Sequence, residues 1–294
     1  MRTSQRILAT LTSTAAGVAL MGGVAATTGA ASAADTTAWA PAATAGITPG
    51  VQTNTEGSGQ CTANFVLTDA AGNVYVGQAA HCSGLGAATD TNGCDAGTLP
   101  LGIAVTFNEG GSLISNGTVL GHGTLAYSSW NTMQARGESD ANTCAYNDLA
   151  LVKVAAADVA KVNPTVPYWG GPVGINTTGT KAGDKVYSYG NSSLRFGVTE
   201  LSPKTGVSLG QDAADGGWTH PLYTATPGVP GDSGSAFLDA QGNAVGTLST
   251  LGLAPLPASN NIGDLAHELA YAQAHSGIAG LRLVPGTDPF SPTL

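Results

Sequence analysis

The sequence predicts an all-β fold closed by one C-terminal helix, on three observations. Only 10% of the residues are charged, while 42 of the 294 are glycine, and this composition favours short strands and tight turns over long helices. Strand-like runs recur at short intervals with turn residues between them. One segment near the C-terminus, at about residues 262–276, instead repeats its apolar residues at helical spacing.

The first 34 residues have the pattern of a signal peptide rather than of the fold. Arg2 and Arg6 precede an apolar stretch, and Ala31-Ser32-Ala33 supplies a cleavage site. A membrane-spanning helix is the alternative, but Thr, Ser and Gly interrupt the stretch well short of the ~20 apolar residues that a span needs. The protein is therefore expected to be secreted and extracellular, with no membrane association once the signal is removed.

The remaining 260 residues suffice for one large all-β domain or for two barrels that share a core. They carry eight basic and 19 acidic residues, because the signal peptide contains two arginines and no acid, and their formal net charge is −11. Such a charge argues against nucleic acid or an anionic membrane as a partner.

The chain is expected to divide into a leader and one folded domain. Residues 35–60 are rich in Ala, Thr, Pro and Gly and lack periodicity, which predicts a flexible leader or a short pro-segment. The domain spans residues 61–294, with a first half at about 61–160, a Pro- and Gly-rich connection at 163–179 and a second half at about 176–260. The predicted strands are 64–68, 74–79, 101–108, 118–127, 149–155, 185–190, 194–202, 218–225, 235–238 and 244–249. Hairpin loops are predicted at 69–73 and 239–243.

One loop has the composition of a nucleophile site. In Gly231-Asp232-Ser233-Gly234 the serine lies between glycines, so a substrate backbone could approach it without meeting a side chain. The N–H groups of Gly231 and Ser233 could point together at a developing oxyanion. An ordinary loop is the alternative, because these are the residues that loops contain.

Two upstream motifs supply what a serine nucleophile needs, a base and an acid that orients it. His81 ends a strand-like run beside Cys82, and Asp148 stands at the head of an apolar strand. Taken alone, His81 could be a core histidine and Asp148 a strand-end carboxylate. Their order with Ser233 is that of chymotrypsin-type enzymes and differs from the order in subtilisins and α/β-hydrolases.

At these three motifs the sequence resembles secreted bacterial serine proteases of the chymotrypsin (trypsin-like) family. The matching segments are Ala79–Cys82, Asn147–Leu151 and Gly231–Gly234. The resemblance implies two six-stranded antiparallel β-barrels with the active site in the cleft between them, and a closing C-terminal helix. It also implies a serine endopeptidase that acts on polypeptides, as a monomer and without a cofactor or metal.

The resemblance assigns a role to each site residue. His81 is the general base, Asp148 orients it, and Ser233 is the nucleophile. The N–H groups of Gly231 and Ser233 form the oxyanion hole. Ser249 supports the buried aspartate and borders the substrate.

The expected specificity pocket carries no acid. Pro227 stands six positions before Ser233, where trypsin has an acidic residue, so a preference for Arg or Lys is not supported. The other wall is expected at Ser249, Thr250 and Leu251. Leu251 replaces a glycine that is common in relatives and would favour small or medium apolar side chains.

Four cysteines in an exported chain predict two disulfides, and the sequence allows three pairings. A metal site is disfavoured because no C-x-x-C or H-x-x-x-H spacing occurs. The resemblance implies that Cys61 pairs with Cys82 and closes the loop that carries His81. Cys94 and Cys144 then remain to pair with each other.

The sequence also departs from the family pattern. No basic cleavage site precedes the first strand, so no released N-terminus is available to Asp232, and Arg195 is the hypothetical partner of this carboxylate. An insertion lies around residues 90–99, and Ser235 stands where a second glycine is common. The other histidines are interpreted as structural: His122, His220, His267 and His275.

Two other functions remain open from the sequence. A protease-fold binding protein without turnover is one, disfavoured because all three triad residues are present. An exported esterase with the same triad is the other, since ester and peptide hydrolysis proceed through the same intermediate.

Overall fold

The computed structural model describes residues 37–86, 91–112, 114–211, 213–252 and 257–292. The predicted signal peptide, residues 1–34, lies outside these ranges. Within them, no helix has both the length and the apolar character needed to cross a bilayer.

The first half of the domain forms one antiparallel sheet. Its strands are β1 (Gln52–Thr55), β2 (Gln60–Thr62), β3 (Val66–Thr68), β4 (Val74–Ala79), β5 (Ala104–Glu109), β6 (Thr118–Ser128) and β7 (Leu149–Val154). Two short helices, α1 (Ser129–Arg136) and α2 (Ala141–Tyr146), separate β6 from β7. The strand order is β3-β4-β7-β6-β5-β1-β2. Because β2 and β3 are consecutive in the chain, one stretch joins the edge strand β2 to β3 at the other side of the sheet.

The second half forms a closed six-stranded barrel. After the short strand β8 (Gly174–Ile175), the barrel strands are β9 (Lys185–Tyr189), β10 (Pro203–Ser208), β11 (Thr219–Thr224), β12 (Ala236–Asp239), β13 (Asn243–Gly252) and β14 (Ser259–Asp264). The order β12-β9-β10-β11-β14-β13 returns to β12, and β8 adds to β13 in parallel. The helix α3 (Leu265–His275) follows, and β15 (Arg282–Leu283) then pairs with β3 of the first sheet.

Short 3₁₀ helices complete the elements: Ala42–Thr44, Ala80–Ser83, Ala156–Lys161, Ser193–Arg195, Thr199–Leu201 and Ala213–Asp215.

Three apolar clusters hold this architecture together. One fills the first sheet around Val76, Phe107 and Val152. A second fills the barrel, around Phe237 and Ile262. The third joins the two sheets and α3, and its buried residues include Phe65, Leu149, Leu238, Leu265 and Leu269. Because this cluster buries apolar area from both sheets, it holds the two sheets against each other.

Both predicted hairpin loops are present, and they have the same design. Asp69 accepts the N–H groups of Ala71 and Asn73 between β3 and β4, at 2.9 Å each. Asp239 accepts those of Gln241 and Asn243 between β12 and β13, at 2.9 and 2.8 Å. The aspartate side chain replaces a backbone acceptor and tightens the turn.

Besides the helices α1 and α2, which were not predicted, the structure differs from the sequence-based prediction at three segments. Within 35–60, Ile47 and Val51 are buried and β1 pairs with both β2 and β5, so this part belongs to the sheet rather than to a flexible leader. Residues 194–202 form 3₁₀ turns instead of a strand. The C-terminal helix begins at Leu265, because Ser259–Asp264 pairs with β11 and β13 and Asp264 caps the helix through the His267 N–H.

The two disulfides are Cys61–Cys82 and Cys94–Cys144. These are the expected pairings. The first ties β2 to the turn that carries His81, and the second ties the predicted insertion to α2. The insertion also packs on α1, where Gln134 donates to the carbonyls of Gly93 and Ala96, both at 2.8 Å.

Candidate active site

His81 is placed by the first sheet. It lies on the 3₁₀ turn that follows β4, and the N–H of Ala80 donates to the carbonyl of Asp148 at 2.8 Å. The pairing of Ala79 with Leu149 brings the end of β4 beside the start of β7. Two residues that are 67 positions apart in the sequence are therefore neighbours.

Asp148 holds His81 through two contacts. Its Oδ1 accepts the backbone N–H of His81 at 2.9 Å, and its Oδ2 lies 2.7 Å from the His81 Nδ1. Ser249 donates its hydroxyl to the same Oδ2 at 2.6 Å. An ionised carboxylate only accepts, so Nδ1 carries the proton and Nε2 keeps its lone pair.

The environment of His81 favours its charged form. Burial opposes an imidazolium, but the charge of Asp148 and its hydrogen bond together outweigh burial and raise the pKa of His81 above its ordinary value of 6.5. The side chain retains 28% of its exposure, so the ring still reaches solvent. A base that gains a proton readily while remaining accessible suits proton transfer.

Ser233 lines the same cavity as His81 and Asp148, which has a volume of about 620 Å³. Its carbonyl accepts the N–H of Thr62 at 2.8 Å, which ties the loop to the first sheet. Among the described residues, no hydrogen bond joins the Ser233 hydroxyl to the His81 ring. The backbone N–H groups of Gly231 and Ser233 donate no hydrogen bond to any described residue.

Asp232 is fully buried beside Ser233 and has two cationic partners. Arg195 donates from Nη2 to Oδ2 at 2.6 Å, which confirms the hypothesis that this arginine is its partner. Lys204 lies 3.0 Å from the same oxygen and is also fully buried. Burial lowers the pKa of Lys204, and the charge of Asp232 works against this shift.

The sequence did not indicate that Lys204 is buried beside Asp232. A lysine in a strand gives no sign of whether its side chain points into the barrel or into solvent.

His81 and Asp148 thus belong to the first sheet and Ser233 to the loop before β12 of the second. A closed barrel, a second curled sheet and a closing helix surround them. The fold is chymotrypsin-like.

Comparison with solved structures finds similar chains among bacterial proteases. Thermobifida fusca Protease A is 16% identical, with a TM-score of 0.48, over 82% of this chain and 99% of that chain. Nocardiopsis protease is 17% identical, with a TM-score of 0.44, over 81% and 98%. Cellulomonas bogoriensis chymotrypsin is 17% identical, with a TM-score of 0.43, over 81% and 98%. No protein-family model and no curated protein matches this sequence.

In this chymotrypsin-like fold, three of the four residues predicted to bind substrate line the cavity: Ser249, Thr250 and Leu251. Pro227 is not among the lining residues. Its carbonyl accepts a hydrogen bond from Arg195 at 2.9 Å, and Gly228 and Val229 line the cavity in its place.

Asn260 forms the back of this pocket and was not predicted. Its Oδ1 accepts the Gly228 N–H at 2.8 Å, and its Nδ2 donates to the carbonyls of Gly228 and Thr250 at 3.1 and 3.2 Å. The side chain therefore joins the two walls, and its polar atoms are engaged with the backbone. The prediction of a helix from about residue 262 did not anticipate β14 (Ser259–Asp264), the strand on which Asn260 lies.

Trp130 adds an aromatic wall that the sequence did not indicate either. It comes from α1, and its ring centroid lies 6.5 Å from that of His81. The helix could have been found from its ends, because Ser128 caps its start and Gly137 ends it with a positive φ of 64°.

The sulfur atoms of Cys61 and Cys82 lie close to His81, a grouping that resembles a metal site. Both sulfurs are joined in the disulfide, so neither is a thiolate ligand. The four remaining histidines contact other side chains. His220 and His267 both bind Asp264 at 2.8 Å, His122 lies near Asp158, and the His275 ring lies 4.5 Å from that of Tyr271.

A second carboxyl group, Glu268 of α3, lies fully buried behind Asp148. Its Oε1 accepts the backbone N–H of Asp148 and its Oε2 accepts the Thr247 hydroxyl, both at 3.1 Å. Burial, together with the charge of Asp148, raises the pKa of Glu268 well above its ordinary value of 4.5. The helix is thus connected to the Asp148 backbone by a carboxyl group that resists ionisation.

This pKa shift predicts a pH-dependent stability difference. Above pH 4.5 the unfolded chain releases the Glu268 proton while the folded chain retains it, so the free energy of unfolding falls with rising pH. Glu268→Gln removes this dependence, and the variant should gain stability relative to the parent as the pH rises above 4.5. Urea unfolding at several pH values measures the difference. Glu200→Gln, at an exposed site, is the control, and an equal pH slope in the parent and in Glu268→Gln would contradict the prediction.

Proposed function

We propose that this protein is a secreted serine endopeptidase that hydrolyses peptide bonds through an acyl-enzyme intermediate. The observation that carries the proposal is the placement of His81, with Nδ1 on buried Asp148, in one cavity with Ser233. In free enzymes the hydrogen bond between nucleophile and base is often long and tightens with substrate. The proposal is therefore supported by the cavity that His81 and Ser233 share, and does not require a hydrogen bond between them in the free protein.

The chemistry follows from the tautomer of His81. Its Nε2 takes the proton of the Ser233 hydroxyl as Oγ attacks the carbonyl carbon of the substrate. The bond from carbon to the amide nitrogen breaks as Nε2 returns the proton to the departing amine. Water then repeats the sequence on the acyl-Ser233 ester, which releases the acid and restores the hydroxyl.

Charge is stabilised at two points along this path. Asp148 stabilises the imidazolium, and Ser249 keeps the Asp148 carboxylate in place. The N–H groups of Gly231 and Ser233 are available for the oxyanion of each tetrahedral intermediate.

The proposed specificity has no preference for basic side chains. The pocket walls are formed by residues such as Val229, Leu248 and Leu251, and the amide of Asn260 is engaged with the backbone. A charged substrate side chain would lose its hydration without gaining a partner, which is costly. Small or medium apolar side chains are the proposed preference. The proposal includes polypeptide substrates, a monomer and an extracellular location after signal removal, with no cofactor, nucleic acid or membrane partner.

The test is covalent labelling with a fluorophosphonate, read out together with casein hydrolysis. We expect the parent protein to be labelled and to cleave casein, and Ser233→Ala to do neither. Ser58→Ala is the matched control, because Ser58 is a second hydroxyl that lines the cavity. A parent protein that takes no label contradicts the proposal and favours a binding protein. Labelling with hydrolysis of esters but not of casein or peptides favours the esterase.

A further inference from the structure

The peptide between Pro230 and Gly231 carries one of the two free N–H groups of the nucleophile loop. Its carbonyl, on Pro230, accepts the hydroxyl of Ser192 at 2.5 Å. Within the described residues, this is the only hydrogen bond that the Pro230 carbonyl receives. The orientation of this peptide therefore depends on one side chain from the preceding loop.

The geometry of a peptide links the two ends of this unit. The Pro230–Gly231 peptide is trans, so its C=O and N–H point in opposite directions. A hydroxyl that holds the carbonyl on one side directs the Gly231 N–H to the other. Gly231 itself has a φ of +94°, a conformation that glycine adopts without strain, so the residue alone does not fix the orientation.

The next peptide of the loop is held separately. The Gly231 carbonyl accepts from Gln60 Nε2 at 2.9 Å and from the Thr62 hydroxyl at 2.7 Å. These two bonds orient the N–H of Asp232, which donates to the Val229 carbonyl at 2.8 Å. The bond from Asp232 to Val229 closes a β-turn with Pro230 and Gly231 at its centre, in which the Pro230–Gly231 peptide can take two opposite orientations. The Ser192 hydroxyl favours one of them.

Ser192 is itself rigidly placed. It is buried, and its backbone N–H donates to Asp232 Oδ1 at 3.0 Å. Its hydroxyl oxygen accepts the Leu194 N–H at 3.1 Å, as the cap of the 3₁₀ turn, so a lone pair is used there and the hydrogen is directed at Pro230. The buried Asp232 thus positions the residue that positions the peptide.

We propose that Ser192 is a positioning residue for the oxyanion hole, whose hydroxyl holds the Pro230–Gly231 peptide with its N–H facing the cavity. This inference rests on the proposed function and names a residue outside the triad and its donors. Without the hydroxyl, the peptide can turn its N–H away from the cavity. In that fraction of the molecules, the Gly231 N–H is not available to the tetrahedral intermediate. Ground-state binding of substrate in the pocket does not involve this bond.

Four variants separate this role from a structural one. Ser192→Ala removes both the donor and the helix cap. Ser192→Asp keeps a cap acceptor but has no hydrogen to donate when ionised, and Ser192→Thr keeps both functions. Ser193→Ala is the matched control, because the Ser193 hydroxyl makes no hydrogen bond to any other described residue.

The measurements are kcat and KM on a peptide substrate, and the affinity for a peptide aldehyde, whose hemiacetal with Ser233 carries the oxyanion. Removal of a whole oxyanion donor lowers kcat about 10²–10³-fold, and loss of its support should cost less, roughly 10- to 100-fold. We expect this fall in kcat for Ser192→Ala and Ser192→Asp, with KM little changed and aldehyde affinity reduced in parallel. Ser192→Thr should retain most of the activity, and Ser193→Ala all of it.

Three outcomes would overturn the inference. One is a Ser192→Ala protein with parental kcat and aldehyde affinity. Another is restoration of activity by Ser192→Asp, which would assign the effect to the cap. The third is a rise in KM with kcat unchanged, which would mean that Ser192 contributes to substrate binding and not to the oxyanion hole. Thermal unfolding of each variant shows whether a loss of activity is caused by misfolding. If Ser192→Ala is misfolded, the comparison of kcat between Ser192→Asp and Ser192→Thr tests the inference instead. A parent protein that hydrolyses nothing and takes no fluorophosphonate contradicts the proposed function instead.

Discussion

Replacing Asp148 with asparagine is expected to lower kcat about ten-thousand-fold while the protein remains folded. The carboxylate accepts at both oxygens, from the His81 N–H, the His81 ring and the Ser249 hydroxyl. An asparagine of the same shape can accept at only one of them. Its amide NH2 would face either the backbone N–H of His81 or, in the other orientation, both Nδ1 and the Ser249 hydroxyl. Where it faces Nδ1, the ring holds the tautomer that cannot take the Ser233 proton. The imidazolium would also lose its countercharge.

The measurement is kcat and KM on one peptide substrate across a pH range. KM should change much less than kcat, because Asp148 acts through His81. Asp95→Asn is the control, since it makes the same change in charge at an exposed position of the insertion. Retention of a tenth or more of the parental kcat by Asp148→Asn would contradict the assigned role.

The parts of the fold that sequence predicted best are those with local causes. Asp69 and Asp239 organise their turns through the two or three residues that follow, so the hairpins could be recognised from the sequence. The strand 74–79 was found with its observed bounds, because an apolar run between turn residues marks it clearly. The motifs around His81, Asp148 and Ser233 were recognisable because short local segments position each of them.

The parts that sequence could not predict depend on distant partners. Ile262 fits the helical spacing of α3, but pairing with β11 and β13 makes it a strand residue. Residues 194–201 form turns because Arg195 and Ser192 are directed to the nucleophile loop. Lys204 and Glu268 would be expected on the surface from their charge. The Asp232 carboxylate accounts for the burial of Lys204, and the Asp148 N–H and the Thr247 hydroxyl account for that of Glu268.

Replacing Asp232 with asparagine is expected to lower the free energy of unfolding by about 3–5 kcal/mol. Asp232 has no solvent exposure, and it is the shared partner of Arg195 and Lys204. Asparagine keeps the shape but removes the charge, which leaves two cations facing each other in the interior. Removal of one member of a buried ionic cluster is costly because the remaining charges are neither hydrated nor paired. The midpoint of urea unfolding, with disulfides intact, measures the loss.

A double variant separates charge from packing as the cause. If unpaired cations destabilise Asp232→Asn, then adding Lys204→Met removes one of them, and the double variant should be more stable than Asp232→Asn alone. Lys185→Met, at an exposed position of β9, is the control for the second substitution. Additive losses from Asp232→Asn and Lys204→Met would mean that the side chains contribute by packing alone. Because Asp232 also accepts the Ser192 N–H, the charge-based explanation further predicts that activity falls with Asp232→Asn before the protein unfolds.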